Sequence, residues 1–285
     1  MNHFKEKAMK GVFLAAACTS VLAVFLICVF LFANGFPAIG KIGPIKFLFG
    51  TKWKPSIDVF GILPMIMASI YVTAGAILFG VPVALFTSVF MAHYCPKKIY
   101  RPLKSGIELM AGIPSIVYGF FGLVLIVPTI RRIFGGTGTS MLAACILLGM
   151  MILPTIIGTT ESALRSVPES YYEGSLALGA TKERSIFCVV LPAARSGILA
   201  AVVLGIGRAI GETMAVVMVA GNQPRMPQGI FKGLRTMTAN IVMEMGYATG
   251  LHREALIATA VVLFIFTLLI NLGLSLLNRR AENAN

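Results

Sequence analysis

Six stretches of the chain, 12–33, 62–92, 109–130, 139–160, 196–223 and 255–278, are each at least 22 residues long, and five of them carry no charged residue. A bilayer core needs about 20 apolar residues in helical form, because in lipid each backbone N–H and C=O has to be bonded inside the protein. The stretches therefore predict an all-α integral membrane protein with about six transmembrane helices. Composition agrees. Of 285 residues, 57% are hydrophobic and 12% charged, against roughly a quarter charged in a soluble domain. That excludes a cytosolic enzyme, a disordered tail and a nucleic-acid-binding module. The net charge of +13 does not restore the last, since the basic residues form short clusters between apolar runs. Membrane lipid is the expected surrounding, and no nucleic acid is expected as a partner.

The boundaries follow from the runs: a tail over 1–11, a first helix over 12–33, a loop over 34–61, a membrane domain over 62–278 and a tail over 279–285. The first run exceeds the roughly 7–15 apolar residues of a signal peptide and is read as a retained helix. The 62–92 run, with Pro82 inside, is expected to be tilted or kinked. Loop Lys and Arg residues number thirteen on the side of the termini and ten on the other, which places both termini in the cytoplasm. The ten outer bases meet only Asp58, Glu244 and Glu254 as acids, so the exterior can attract an anionic solute or an acidic partner. The five cysteines lack metal-ligand spacing, and Cys18, Cys28 and Cys145 read as small hydrophobes.

The long inner loop, 161–195, carries helix signals. Ser166 and Glu169 have capping-box spacing. A helix can run from there to Leu178, with Gly179 as its stop. Thr181 can cap a second short helix ending before Pro192. Within this loop, Glu173-Gly174-Ser175, then Gly179, then Val189-x-Leu191-Pro192, resembles the EAA motif of ABC-importer permeases. Gly174 and Ser175 replace its two alanines, and Val189 its isoleucine. The resemblance implies a type I ABC importer permease (MetI-like) bundle whose cytoplasmic coupling helix pair docks on an ATPase. Glu173, Gly174, Ser175, Gly179, Ala180 and Thr181 would belong to that docking element. No G-x-x-x-x-G-K-[ST] phosphate loop is present. The chain is thus expected to be no enzyme and to bind no cofactor, with ATP and magnesium on partner ATPase subunits.

The fifth run alone is charged. Arg208 and Glu212, four apart, are expected on one helix face. Each costs about 2.5–3.5 kcal/mol near mid-bilayer, so they should face the bundle interior or a wet cavity. Gly207 and Gly211 give a G-x-x-x-G spacing for close helix approach. The alternative is mutual neutralisation that locks helices together. The stretch Leu204-Gly-Ile-Gly-Arg-Ala-Ile-Gly-Glu-Thr-Met-Ala, with Gly221-Asn222 and with Ala111-Gly-Ile-Pro-Ser-Ile-Val-Tyr-Gly119, is similar to the phosphate-specific branch of these permeases. Thr213-Met214-Ala215, Thr238-Ala-Asn240 and Leu251-His252 point to its PstC type rather than its PstA type. The resemblance implies a PstA-like sister permease, two PstB-like ATPase subunits, a PstS-like phosphate-binding protein and a sensor-kinase signalling partner. It implies the bacterial inner membrane as location.

A guanidinium matches two phosphate oxygens. A carboxylate can accept the proton that phosphate keeps and sulfate lacks, which makes Glu212 a candidate for rejecting sulfate. Ser115 and Tyr118, beside Pro114, either line the path or pack at a kink. Thr155, Thr159 and Thr160 are expected to bond their own helix. His3, His93 and His252 read as isolated and interfacial, and Trp53 as an interfacial anchor. Another oxyanion, such as phosphonate, molybdate or sulfate, and a phosphate-status signalling scaffold are the competing readings.

Overall fold

The computed structural model describes residues 2–283. Met1 and residues 284–285 lie outside the described residues, and the side chains of residues 2–5 (His3 among them), 8, 274 and 277–283 are likewise outside what is described. Among the described residues, five helices are long and apolar enough to cross a membrane: Met9–Ile42, Leu63–Tyr94, Ser115–Phe134, Met141–Ser166 and Gly250–Gly273. A pair, Lys182–Ala193 and Arg195–Gly211, is bent by 69° and makes a sixth only if its two helices count as one span.

In chain order, α1 (Asn2–Ile42) leads through α2 (Pro44–Phe49) to a two-strand hairpin, β1 (Trp53–Lys54) and β2 (Val59–Phe60). The strands pair antiparallel with Trp53 opposite Phe60. Then follow α3 (Leu63–Tyr94), α4 (Lys97–Gly112), α5 (Ser115–Phe134), α6 (Met141–Ser166), α7 (Glu169–Ala177) and α8 (Lys182–Ala193). The chain closes with α9 (Arg195–Gly211), α10 (Met214–Val219), α11 (Met237–Met245) and α12 (Gly250–Asn283). Three of these helices contain a π turn, at Phe90–Tyr94, Gly122–Ile126 and Ile186–Val190.

The most extensive packing joins α3 to α6. Between lipid-embedded helices there is little hydrophobic driving force, so small residues that let backbones approach carry the contact. On α3, Ala68, Val72, Ala76, Gly80, Ala84 and Ser88 recur every fourth residue and are all buried. A Cβ on Gly80 would lie 2.9 Å from the Gly149 carbonyl oxygen, and one on Gly75 would meet Cys145. Ser88 Oγ donates to Ala84 within α3 and to the Ile157 carbonyl of α6 at 3.3 Å.

Three expectations are corrected. First, α1 runs from Asn2 to Ile42, so the expected 1–11 tail is helical over its described part. The expected loop over 34–61 begins with the end of this helix, and a Pro37 inside it does not stop it. Second, Ser166 is the last residue of α6 and its hydroxyl donates back to the Ala163 carbonyl. It caps nothing, and Pro168 precedes α7 instead. The helix α6 simply continues, through Glu161 and Arg165, past the point where the inner loop was expected to begin. Third, the second loop helix does not end before Pro192 but continues to Ala193, and the chain turns at Ala194.

Candidate functional site

Two apolar runs expected as continuous helices are interrupted, and the interruptions adjoin. Pro114 offers no N–H and biases its predecessor away from helix. Ile113 accordingly is extended, with φ −70° and ψ 125°, and separates α4 from α5. In the fifth run α9 stops at Gly211, Glu212 is extended with φ −70° and ψ 130°, and α10 begins at Met214. The restarted halves pack on each other. A Cβ on Gly119 of α5 would lie 2.7 Å from Met218 Sδ and 3.0 Å from Ala215 Cα of α10. Gly119→Val should therefore force the halves apart and cost about 1–3 kcal/mol, the usual scale of overpacking. A lower thermal unfolding midpoint of the detergent-solubilised protein would register it.

The break corrects the expected geometry of the charged pair. Arg208 lies in the last turn of α9, while Glu212 lies beyond it, so the two do not share a helical face. Among the described residues no ion pair joins them. Glu212 Oε1 instead accepts from the backbone N–H groups of Thr213 at 3.1 Å and Ala215 at 3.2 Å. It thus occupies the orphan donors at the start of α10, where negative charge is favoured. Arg208 is half-buried, and its one described bond runs from Nη1 to Thr155 Oγ1 at 3.3 Å. Thr155 stands near the middle of α6, so the guanidinium sits at mid-depth in the bundle. Thr155 was expected to serve its own helix, and it accepts from Arg208 instead.

Ser115 opens α5 and is half-buried. Tyr118 is 7% exposed, and its hydroxyl donates to the Met110 carbonyl at 2.9 Å, across the break. It ties α4 to α5 and lies within electrostatic reach of Arg208. The structure thus brings Tyr118 near the charged break.

At the opposite end of α3 and α6 from the hairpin, α7 and α8 form an elbow. Its turn closes through Gly179 N–H to the Leu176 carbonyl at 2.9 Å and Ala180 N–H to the Ser175 carbonyl at 3.1 Å. Gly179 has φ +86°, the left-handed geometry that glycine adopts without a Cβ clash. Thr181 Oγ1 accepts from the Arg184 N–H and caps α8 as expected. Ile186, Val190, Leu164 and Val89 bury the root of the elbow against α3 and α6. Glu173, Gly174, Gly179 and Thr181 remain exposed, with Ser175 and Ala180 half-buried. Leu178, 92% exposed, crowns the turn. Its apolar projection was not anticipated, although a leucine directly before the stop glycine signals it.

Two buried carboxylates also escaped sequence reasoning. Glu161, 1% exposed, accepts from Tyr100 Oη at 2.6 Å, Lys104 Nζ at 2.7 Å and Arg165 Nε at 2.9 Å. Arg165 Nη2 also donates to the Met91 carbonyl of α3. This cluster fastens amphipathic α4 to the bundle. The bond to Glu161 raises the Lys104 pKa above the ordinary lysine value. Its stabilisation is complete below that ordinary value and lost only as pH rises through the raised one, so neutral pH leaves it intact. At the hairpin end Glu244, 6% exposed, accepts from Trp53 Nε1, Arg235 Nη1 and His252 Nε2. Trp53 is thus 5% exposed and internal rather than an interfacial anchor. His252 is bonded rather than isolated. His93 stacks on Tyr172 of the elbow, with centroids 6.4 Å apart.

Comparison with known proteins agrees with this architecture. The model of the binding-protein-dependent transport system inner membrane component matches residues 80–283. The chain is 38% identical to a probable ABC transporter permease protein YqgH of Bacillus subtilis, over 96% of this chain and 92% of that protein. It is 33% identical to a phosphate transport system permease protein PstC of Mesorhizobium japonicum, over 90% and 84%. Among solved structures, a bacterial ABC transporter importing the acidic polysaccharide alginate superposes with TM-score 0.62 at 14% identity, over 96% of this chain and 99% of that one. The MetNI methionine ABC transporter superposes with TM-score 0.60 at 22% identity, over 81% and 99%. The helical bundle is that of type I importer permeases, and such subunits are not themselves enzymes. On a family match spanning most of its length and relatives above 30% identity, the chain belongs to the binding-protein-dependent transport system inner membrane components.

Proposed function

We propose that this ABC importer permease subunit carries inorganic phosphate. The observation that supports the reading best is the charged break: a mid-depth guanidinium with a single bond among the described residues, in the last turn before a helix interruption that holds a carboxylate. Broken helices at mid-membrane are the usual place for a transported solute. The free N–H groups of Arg208 can grip two phosphate oxygens. The relatives named as phosphate permeases support phosphate as the anion.

In this reading both termini are cytoplasmic and the elbow faces the cytoplasm. A PstA-like sister permease completes the path, two PstB-like ATPases take up the elbow, and a PstS-like protein delivers phosphate outside. ATP and magnesium stay on the ATPases. Leu178 and Tyr171, exposed on the elbow, supply apolar contact for the docked ATPase beside Glu173 and Gly179. Movement of the elbow reaches α3 and α6 through its buried root, and rocks the broken helices about the anion.

The test is uptake by the reconstituted complex with phosphate, phosphonate, molybdate and sulfate in turn. Phosphate-dependent ATP turnover supports the reading, and equal turnover with sulfate sinks it. Glu212→Gln gives a finer result. The amide oxygen can keep both backbone bonds of the break, so the fold should persist while the charge is lost. Discrimination against sulfate should then drop by about tenfold, the effect of roughly 1.4 kcal/mol. Unchanged discrimination would confine Glu212 to capping α10.

A further inference from the structure

A second half-buried arginine stands at the hairpin end of the bundle, away from the break. Arg235 has an 11% exposed side chain. Its Nε donates to the Asn222 carbonyl at 3.0 Å, and its Nη1 donates to Asn240 Oδ1 at 3.0 Å and to Glu244. Glu244 is well satisfied, because Trp53 at 2.9 Å and His252 at 2.8 Å share its other oxygen. Arg235 Nη2 has no partner among the described residues.

Three buried amide atoms near it have none either: Asn222 Oδ1, Gln223 Oε1 and Asn240 Nδ2. An orphaned buried polar group bears its full desolvation penalty, and a group of them calls for polar partners. Two of the assignments are fixed by the network. Asn240 Oδ1 accepts from Arg235, which leaves Nδ2 free, and Asn222 Nδ2 donates to the Val217 carbonyl at 2.7 Å, which leaves Oδ1 free. Asn240 is fully buried. Asn222 is held at φ +52°, directly after Gly221 at φ +81°, a strained geometry of the kind that persists where surroundings impose it.

The unused set therefore mixes donors, Arg235 Nη2 and Asn240 Nδ2, with acceptors, Asn222 Oδ1 and Gln223 Oε1. A tetrahedral oxyanion that keeps a proton fits such a set. Its bare oxygens take the donors, and its hydroxyl donates to an amide carbonyl. A fully deprotonated anion would press its oxygens against two carbonyls. Contacts run from here to the break: the Thr236 and Thr238 hydroxyls share a bond of 3.1 Å, and Thr238 Oγ1 donates to the Glu212 carbonyl at 3.1 Å.

We infer that Arg235, Asn240, Asn222 and Gln223 form an outer station that takes a protonated oxyanion before Arg208 does. The inference rests on the reading of the chain as a phosphate permease.

The test uses the full complex in liposomes with saturating phosphate-loaded binding protein, and measures phosphate moved and ATP hydrolysed together. Asn240→Leu and Arg235→Gln should lower phosphate moved per ATP by fivefold or more, with ATP hydrolysis within twofold of wild type. Because Arg235→Gln also takes a donor from Glu244, Asn240→Leu, which leaves that ion pair in place, decides. If both rates fall together, the cluster is only a structural clamp; if neither falls, it holds no anion. Either result overturns the station while the phosphate reading stands. A wild-type complex that moves no phosphate overturns both.

Discussion

Arg208→Gln is expected to reduce phosphate transport by about a hundredfold, a loss of roughly 2.7 kcal/mol, while the complex still assembles. The protein itself asks little of this side chain. Its one described bond, to Thr155, is long at 3.3 Å, and neither Glu212 nor any other acid pairs with it among the described residues. A structural lock would show the reverse, a saturated guanidinium whose loss unfolds the bundle. Charge and shape then separate. Arg208→Lys keeps the charge but loses the planar fork, and should retain about a tenth of the rate. Transport assays beside a thermal unfolding curve decide the matter. A variant that unfolds early, or that transports normally, would remove Arg208 from the path.

Glu161→Ala should be the most destabilising single change at the elbow end. Breaking a buried ion pair costs about 3–5 kcal/mol when the partner stays buried and unpaired. Here Lys104 is 31% exposed and Arg165 47% exposed, so both can regain water, and the cost should fall to about 2–3 kcal/mol. The loss is local. Tyr100 and Lys104 are the polar ties of α4, and Arg165 bridges Glu161 to the Met91 carbonyl. Amide hydrogen exchange should thus rise along residues 97–112 well before it rises in α3 and α6. Uniform exchange across the bundle would show that α4 is held by its apolar face alone.

The bundle was legible in the sequence because uncharged length is a sufficient signal in lipid: all six runs correspond to crossings or to parts of them. Interruptions were less legible. Pro114 marks its break by chemistry, but nothing in Gly211-Glu212-Thr213 distinguishes a helix end from a helical charged pair. The packing of Gly119 on Ala215 and the capping bonds to Glu212 make the restart of α10 favourable. The every-fourth-residue row from Ala68 to Ser88 was readable and was not read, since apolar count hides residue size. Of the roles of Glu161 and Glu244, only the i, i+4 pairing of Glu161 with Arg165 was readable. Their partners lie up to 191 residues away, as for Trp53 and Glu244, and a single sequence carries no sign of which distant groups meet. The turn chemistry of Gly179 and Thr181, by contrast, is local and was read directly. The Ser166 capping box failed because one more turn of α6 was stronger than a local cap.

The first helix has a consequence for how the chain is made. No residue of its membrane window is buried, and its fixed contacts lie near its far end: Gly35 against Val261 and Ala258, Phe32 against Phe264, and Lys41 with Glu254, 213 residues downstream. A ribosome working at about 5–20 residues per second releases that partner surface tens of seconds after the helix has entered the bilayer. This helix is therefore made long before the surface that fastens it, and it waits in the lipid without these contacts until residues 254–264 arrive.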